Sequence, residues 1–207
     1  MTKQHEDPYP NWARLGPAER AAAAKRICVV GAESTGTTSL ARALAEHYHT
    51  EWVAEFGRAY TEARISRTQA SWTSDEFAVI AAEQCRLEDE ALPRCNRLLI
   101  CDTNAFATQL WHRRYLGIDS EDVAAIAATR RYDLYLLAGD EIPFVPDRIR
   151  DGEHLRHTMH TWFEQALAAQ NTRWRLLRGT HETRMATAIA AINILFDGSA
   201  WQPPHRD

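Results

Sequence analysis

Residues 26–48 read RICVVGAESTGTTSLARALAEHY, and the rest of the 207-residue chain is organised around this stretch. Ile27-Cys28-Val29-Val30 is apolar without alternation, as a strand buried on both faces of a sheet should be. It breaks into Gly31-Ala32-Glu33-Ser34-Thr35-Gly36-Thr37-Thr38-Ser39, and Leu40, Leu44 and Tyr48 then return at helical spacing. Strand, glycine-bounded loop and helix, in that order, are what a P-loop requires. The glycines let the backbone curl until successive N–H groups converge, and the helix N-terminus adds partial positive charge, so the loop can cradle a polyphosphate. Thr38 stands at the hydroxyl position that holds Mg2+. One position departs from the pattern: where a lysine normally sets its charge against the β- and γ-phosphates, this chain has Thr37. A glycine-containing turn that binds nothing is the plain alternative, and the correct flanks on both sides weigh against it.

A chain of this length with 45% hydrophobic and 25% charged residues is expected to form one compact domain with a full core. A net charge of −4 argues against nucleic acid as the main partner. There is no apolar run of membrane-spanning length and no signal peptide, so a cytoplasmic protein without a membrane partner is expected. Cys28, Cys85, Cys95 and Cys101 lack metal or redox spacing and read as reduced, largely buried thiols.

Residues 1–25 read as a leader, with a rigid turn at Asp7-Pro8-Tyr9-Pro10 and a short alanine-rich helix over 17–25. A second strand is expected over 51–56, ending in Gly57-Arg58-Ala59-Tyr60, where open α/β sheets bind ligands. A helix follows over 58–69. A longer one, N-capped by Ser74, carries Phe77, Ile80, Ala81, Gln84, Leu87 and Glu88 and stops at Pro93. Leu98-Leu99-Ile100-Cys101 is another apolar run, closed by Asp102. Four hydrophobics and an aspartate form the Walker B arrangement, whose carboxylate reaches metal or metal-bound water beside a P-loop. As a lone motif it could equally be a helix cap. Helices over 106–115 and 120–131, a strand over 134–138, a helix over 161–170, a strand over 174–177 and a helix over 183–195 complete the pattern. The fold class is therefore α/β, a P-loop kinase fold with a five-stranded parallel sheet and helices on both faces. The expected organisation is a leader (1–25), a kinase domain (26–197) and a tail (198–207).

Arg148, Arg150 and Arg156 fall within nine residues of a segment bounded by proline and glycine, a composition suited to a lid closing on phosphates or to a solvated loop. His154, His157 and His160, spaced by three, lack a cysteine or carboxylate that would complete a metal site. Of the seven tryptophans, Trp52 and Trp72 lie near the expected substrate strand and could stack on a ring. No nucleophile elbow surrounds Ser34 or Ser39, which excludes a serine hydrolase.

Taken together, these residues resemble the ribosylnicotinamide kinase domain of the bifunctional bacterial NMN adenylyltransferase/kinase proteins. The resemblance runs from about 7 to about 195. Gly31 to Gly36 resembles that family's P-loop with Glu-Ser inside it, and Glu55-Phe56-Gly57-Arg58-Ala59-Tyr60 its Glu-aromatic-Gly-Arg-x-Tyr segment. Asp102-Thr103-Asn104 with Thr108 is similar to its Asp-Thr-Asp/Asn-x-x-x-Thr run. Asp147, Arg150 and Arg156 match its lid, and Gly179, Glu182 and Arg184 its late turn near the adenine. The 7–26 segment looks like the junction that follows the adenylyltransferase domain, and without a nucleotidyltransferase histidine motif that activity is expected to be absent.

The resemblance implies phosphoryl transfer from ATP with Mg2+ to the 5′-hydroxyl of nicotinamide riboside, a step of NAD salvage. Gly31 to Ser39, Gly179 and Arg184 would hold ATP, and Thr38 and Asp102 the metal. Glu55, Arg58, Tyr60, Asp102 and Asn104 would bind the nucleoside, with Asp102, Glu55, Arg150 and Arg156 in catalysis. The alternatives are a P-loop kinase for another nucleoside or small molecule, or a nucleotide-binding regulatory module whose turnover is weakened by Thr37. A homo-oligomer is compatible with the sequence but not read from it.

Overall fold

The structure, a computed structural model, describes residues 11–67, 70–145 and 153–202. Strands β1 (Lys25–Val30), β2 (Trp52–Val53), β3 (Leu98–Asp102), β4 (Leu134–Ala138) and β5 (Trp174–Leu177) pair in parallel in the order β2-β3-β1-β4-β5. Parallel strands need helical crossovers, and those helices cover both faces. The side-chain period of two divides β1 between two cores. Ile27 and Val29 pack with Leu40, Leu44, Leu136 and Ile192. Cys28 and Val30 pack with Leu99, Cys101, Leu137 and Phe163 on the other side. That is why the strand reads as an unbroken apolar run.

The helices are α1 (Pro17–Ala23), α2 (Thr37–Tyr48), α3 (Phe56–Ile65), α4 (Ser74–Ala91), α5 (Ala105–Leu116), α6 (Glu121–Ala128), α7 (Arg156–Ala168) and α8 (His181–Asp197). Strand β1 has β3 on one flank and β4 on the other, so the chain switches sides there. The crevice at the carboxyl ends of β1, β3 and β4 is where such sheets place ligands. Pairing sets Val29 opposite Asp102 and so brings the P-loop strand and the aspartate to the same height.

Four local expectations differ from the structure. The second strand is only two residues long, because Gln84 Oε1 accepts the Phe56 N–H (2.9 Å) and Glu55 becomes the N-cap of α3. The N-cap of α4 is Thr73, whose N–H donates to Glu76 Oε2 at 3.0 Å in a capping box; Ser74 Oγ instead pairs with His112 Nε2 at 2.9 Å. Helix α7 starts at Arg156, five residues earlier than expected. Trp12, expected in a leader, is buried in the core with Leu15, Ala21 and Ala23 packed against the same cluster. Asp7, Asp147, Arg148 and Arg150, with most of the expected lid and the end of the tail, lie outside the described residues. Among those described, no helix is long and apolar enough to cross a membrane.

Candidate active site

The loop between β1 and α2 has the backbone that its sequence calls for. A Cβ on Gly31 would stand 2.5 Å from Thr35 Oγ1 and 3.3 Å from Ala138 Cβ, so the close turn excludes any side chain. Gly36 caps α2 with φ +81°, which glycine adopts without strain. Ser34 also lies in the left-handed region, at φ 58°. Its hydroxyl accepts from Val145 N at 2.8 Å, tying the loop to the segment that follows β4. Thr35 is buried, with Oγ1 donating to Ala32 O at 2.8 Å.

Thr38 Oγ1 donates to Asp102 Oδ2 at 2.6 Å, joining the first turn of α2 to the end of β3. Asp102 is 1% exposed, and its Oδ1 is buried without a hydrogen-bond partner. Burial holds its pKa above the ordinary carboxylate value; the Thr38 and Thr37 hydroxyls and the charges of Arg42 and Arg58 pull it back only in part. A buried, half-satisfied carboxylate touching a P-loop hydroxyl is a fitting donor set for a hard divalent cation. Thr103, next in the chain, has φ 66° and donates its N–H to Val29 O at 2.9 Å, so Asp102 sits at a strained turn.

The pocket over this floor runs from Gly31, Ser34, Thr37 and Thr38 past Glu55, Arg58 and Thr61 to a wall of Trp72, Phe77, Trp111 and Tyr115. Trp72 lies 5.1 Å from Phe77 and 5.3 Å from Tyr115, centroid to centroid. Arg64 backs it, with its guanidinium carbon 4.2 Å from the ring centroid. Arg64 also donates to Glu76 Oε1 (2.6 Å), Ala70 O (2.8 Å) and Ser71 O (2.9 Å), fixing the connection that carries Trp72. A second buried pair, Arg114 with Glu33 at 2.8 Å, stands beside Tyr115, whose centroid is 4.5 Å from the Arg114 guanidinium carbon.

Glu55, Arg58, Thr37, Thr38 and the start of the P-loop thus share one pocket with Thr103; Asp102 is not among the lining residues and stands behind Thr38, which bonds it. Arg58 also pairs with Glu62 at 3.1 Å. Tyr60 is not among the lining residues; its hydroxyl donates to Glu76 at 3.3 Å. Asn104 caps α5, accepting from Ala107 N at 3.0 Å while its amide donates to the Tyr135 hydroxyl. The Glu33 carboxylate faces Arg114, which leaves its backbone as the part able to serve a phosphate. Arg156 Nη2 donates to Ser34 O at 3.2 Å, and Arg184 is bonded to backbone carbonyls and Glu141. Gly179 begins the turn into α8 at φ +90°. Trp52 lies outside the pocket, with the guanidinium carbon of Arg42 4.8 Å from its ring centroid. Among the described residues no cluster of His, Cys, Asp and Glu could hold a metal ion by itself. Arg64, Arg114, Trp111 and Tyr115 were missed in the sequence. The spacing of Thr108, Trp111 and Tyr115 on one helix face was the available signal.

Comparison with known proteins places this geometry. The AAA domain family model (AAA_28) matches residues 26–184. The trifunctional NAD biosynthesis/regulator proteins NadR of Salmonella typhimurium and Escherichia coli are each 25% identical over 145 residues, 70% of this chain and 35% of theirs. The chain therefore spans about a third of the length of these curated relatives. A NadR protein solved in complex with NR superimposes with TM-score 0.74 at 24% identity, over 97% of this chain and 59% of that one. A NadR complex with NAD and AMP-PNP gives 0.73 at 23% identity, over 96% and 56%. Thymidylate kinase from Ehrlichia chaffeensis gives 0.59 at 12% identity, over 84% and 99%, and extends the likeness of fold to P-loop kinases. With the family model matched over most of its length, from the first strand to Arg184, this chain belongs to the AAA domain family and is similar to NadR.

Proposed function

We propose that the protein transfers the terminal phosphoryl group of ATP to the 5′-hydroxyl of nicotinamide riboside, as a cytoplasmic kinase of NAD salvage, with residues 26–197 as the kinase unit. The observation that carries this reading is one continuous pocket. A P-loop with Thr38 against Asp102 forms one end, and an aromatic wall of Trp72, Phe77, Trp111 and Tyr115 forms the other. NadR complexes with NR and with AMP-PNP support the same pairing of ligands.

Phosphoryl transfer asks the protein mainly for positioning and charge stabilisation. The loop amides hold the triphosphate, and Thr38 and Asp102 would hold Mg2+, which when bound neutralises charge across the phosphates. The nucleoside ring lies against Trp72 and Tyr115, and Glu55 and Arg58 hold the sugar between the ring and the loop. As the 5′-oxygen bonds to phosphorus and the bond to the ADP oxygen breaks, the hydroxyl proton leaves to a carboxylate. Asp102 is the carboxylate assigned to receive it or to hold the cation, and both roles need it ionised. Arg150 is assigned to stabilising charge on the group in transfer, whereas Arg156, bonded to Ser34 O, acts on the loop.

The test is a single-turnover reaction of purified protein with ATP, Mg2+ and nicotinamide riboside, read as NMN by mass. NMN formation is expected; transfer only to another nucleoside would keep the kinase and discard this acceptor. Thr37 favours a second reading, a nucleotide-binding regulatory module, which predicts ATP binding without transfer to any acceptor.

A further inference from the structure

Arg184 is 3% exposed and lies 149 positions from the loop it touches. Its Nη1 donates to Thr35 O at 2.8 Å, its Nη2 to Gly139 O at 3.1 Å and to Glu141 Oε1 at 2.7 Å, and its Nε to Gly179 O at 3.0 Å. One guanidinium thus ties together the loops leaving β1, β4 and β5. Of its five N–H donors these bonds use four, so it has little left with which to bind a nucleotide. Glu141 closes the knot by accepting the Gly179 N–H at 2.7 Å. Arg156, 8% exposed, donates to the preceding carbonyl, Ser34 O. Bonding to the adjacent carbonyls of Ser34 and Thr35 sets the two cations close together behind the loop, and the Arg156 pKa is lowered, chiefly by burial and in part by the like charge of Arg184.

Peptide planarity gives these bonds a consequence. In a trans peptide the C=O and the following N–H point in opposite directions. Holding the carbonyls of Ser34 and Thr35 from one side therefore turns the N–H groups of Thr35 and Gly36 to the other. A P-loop binds phosphate through such amides, and their orientation has to exist before the ligand arrives. We propose that Arg184, assisted by Arg156, is a positioning residue that presets the phosphate-binding amides of the loop from behind, rather than a residue that contacts the adenine. A lysine at 184 would carry the charge but could not span three strand ends, because its donors radiate from a single point. The proposal rests on the loop binding nucleotide.

The experiment separates phosphate from adenine. Binding of tripolyphosphate, of adenosine and of nicotinamide riboside is measured by competition or calorimetry for wild type, Arg184→Lys and Glu141→Ala, with circular dichroism as the check on folding. Arg184→Lys should weaken tripolyphosphate by roughly tenfold or more, the scale of losing oriented charge-linked hydrogen bonds, and leave adenosine and the riboside within about twofold. Glu141→Ala should show the same selectivity with a smaller loss, and it decides the matter if Arg184→Lys does not fold. Selective loss of adenosine, or no change in tripolyphosphate, overturns the proposal while nucleotide binding stands. If wild type binds neither ATP nor tripolyphosphate, the nucleotide reading of the loop falls and this proposal falls with it.

Discussion

The phosphate end of the pocket is made of backbone and hydroxyls from one continuous segment, whereas the ring end is made of large side chains from two helices, α4 and α5, and from the connection between α3 and α4. Gly31, Gly36 and Thr38 are neighbours in sequence, and their spacing alone prescribes the loop. Trp72, Phe77, Trp111 and Tyr115 become neighbours only when α3, α4 and α5 pack. The first kind of site depends on peptide orientation and the second on how rigidly aromatic rings are held. Arg–glutamate pairs do the holding at the ring end: Arg64 with Glu76 behind Trp72, and Arg114 with Glu33 beside Tyr115. Since Glu33 belongs to the P-loop, the second pair also joins the two ends.

If the phosphate end is the catalytic one, damage there should reduce turnover and leave acceptor binding alone. Asp102→Asn keeps the shape and the bond from Thr38 but removes the charge. Turnover is expected to drop on the order of 10²- to 10³-fold with the riboside KM nearly unchanged. The wild-type pH profile sharpens this expectation. The buried Asp102 holds its proton to a higher pH than an ordinary carboxylate, and activity needs the ionised form. Mg2+ binding should therefore weaken as pH drops, through a range displaced upward from the usual carboxylate values, and Asp102→Asn should abolish that dependence. Equal turnover of the two proteins at saturating Mg2+ would remove this carboxylate from the site.

Damage at the ring end should do the reverse. Trp72→Ala is expected to raise the riboside KM roughly 10- to 100-fold, the scale of losing one stacking face, with the ATP KM held. Arg64→Ala should cost less, and on the Trp72→Ala background it should cost nothing more, because Arg64 acts through that ring. Additive losses in the double-mutant cycle would mean that Arg64 serves folding instead.

The same contrast explains how much could be read in advance. The fold, the loop and the place of Asp102 follow from local patterns, namely apolar runs of strand length, glycine spacing and a carboxylate closing a run. The second strand was overestimated because its pattern does not show that Gln84, on another helix, captures the Phe56 N–H. Trp52 and Trp72 looked alike in sequence, and only packing shows one beneath Arg42 and the other in the pocket. Arg184 was assigned to the nucleotide by resemblance, and its distant carbonyl partners leave no trace in spacing. Backbone-made sites announce themselves, and sites made by tertiary packing do not.

Thr37 is the position where the two halves of the comparison meet, and changing it should have the smallest effect. A lysine there would normally place a charge on the β- and γ-phosphates in a charge-assisted contact about twice as strong as a threonine hydroxyl offers. In this chain two buried arginines already stand behind the loop. The carboxylate with an unpartnered Oδ1, Asp102, is close enough for the Thr37 hydroxyl to influence its pKa. An ammonium at 37 would be drawn to that carboxylate, compete with the cation it is suited to hold, and lower its pKa. Thr37→Lys is therefore expected to change turnover by less than about tenfold, which is ~1.4 kcal/mol in barrier, and to move the pH dependence of Mg2+ binding downward. A wild type that binds ATP yet transfers no phosphate, with a gain of about a hundredfold or more on Thr37→Lys, would mean that nothing has replaced the lysine. The regulatory-module reading would then displace the kinase.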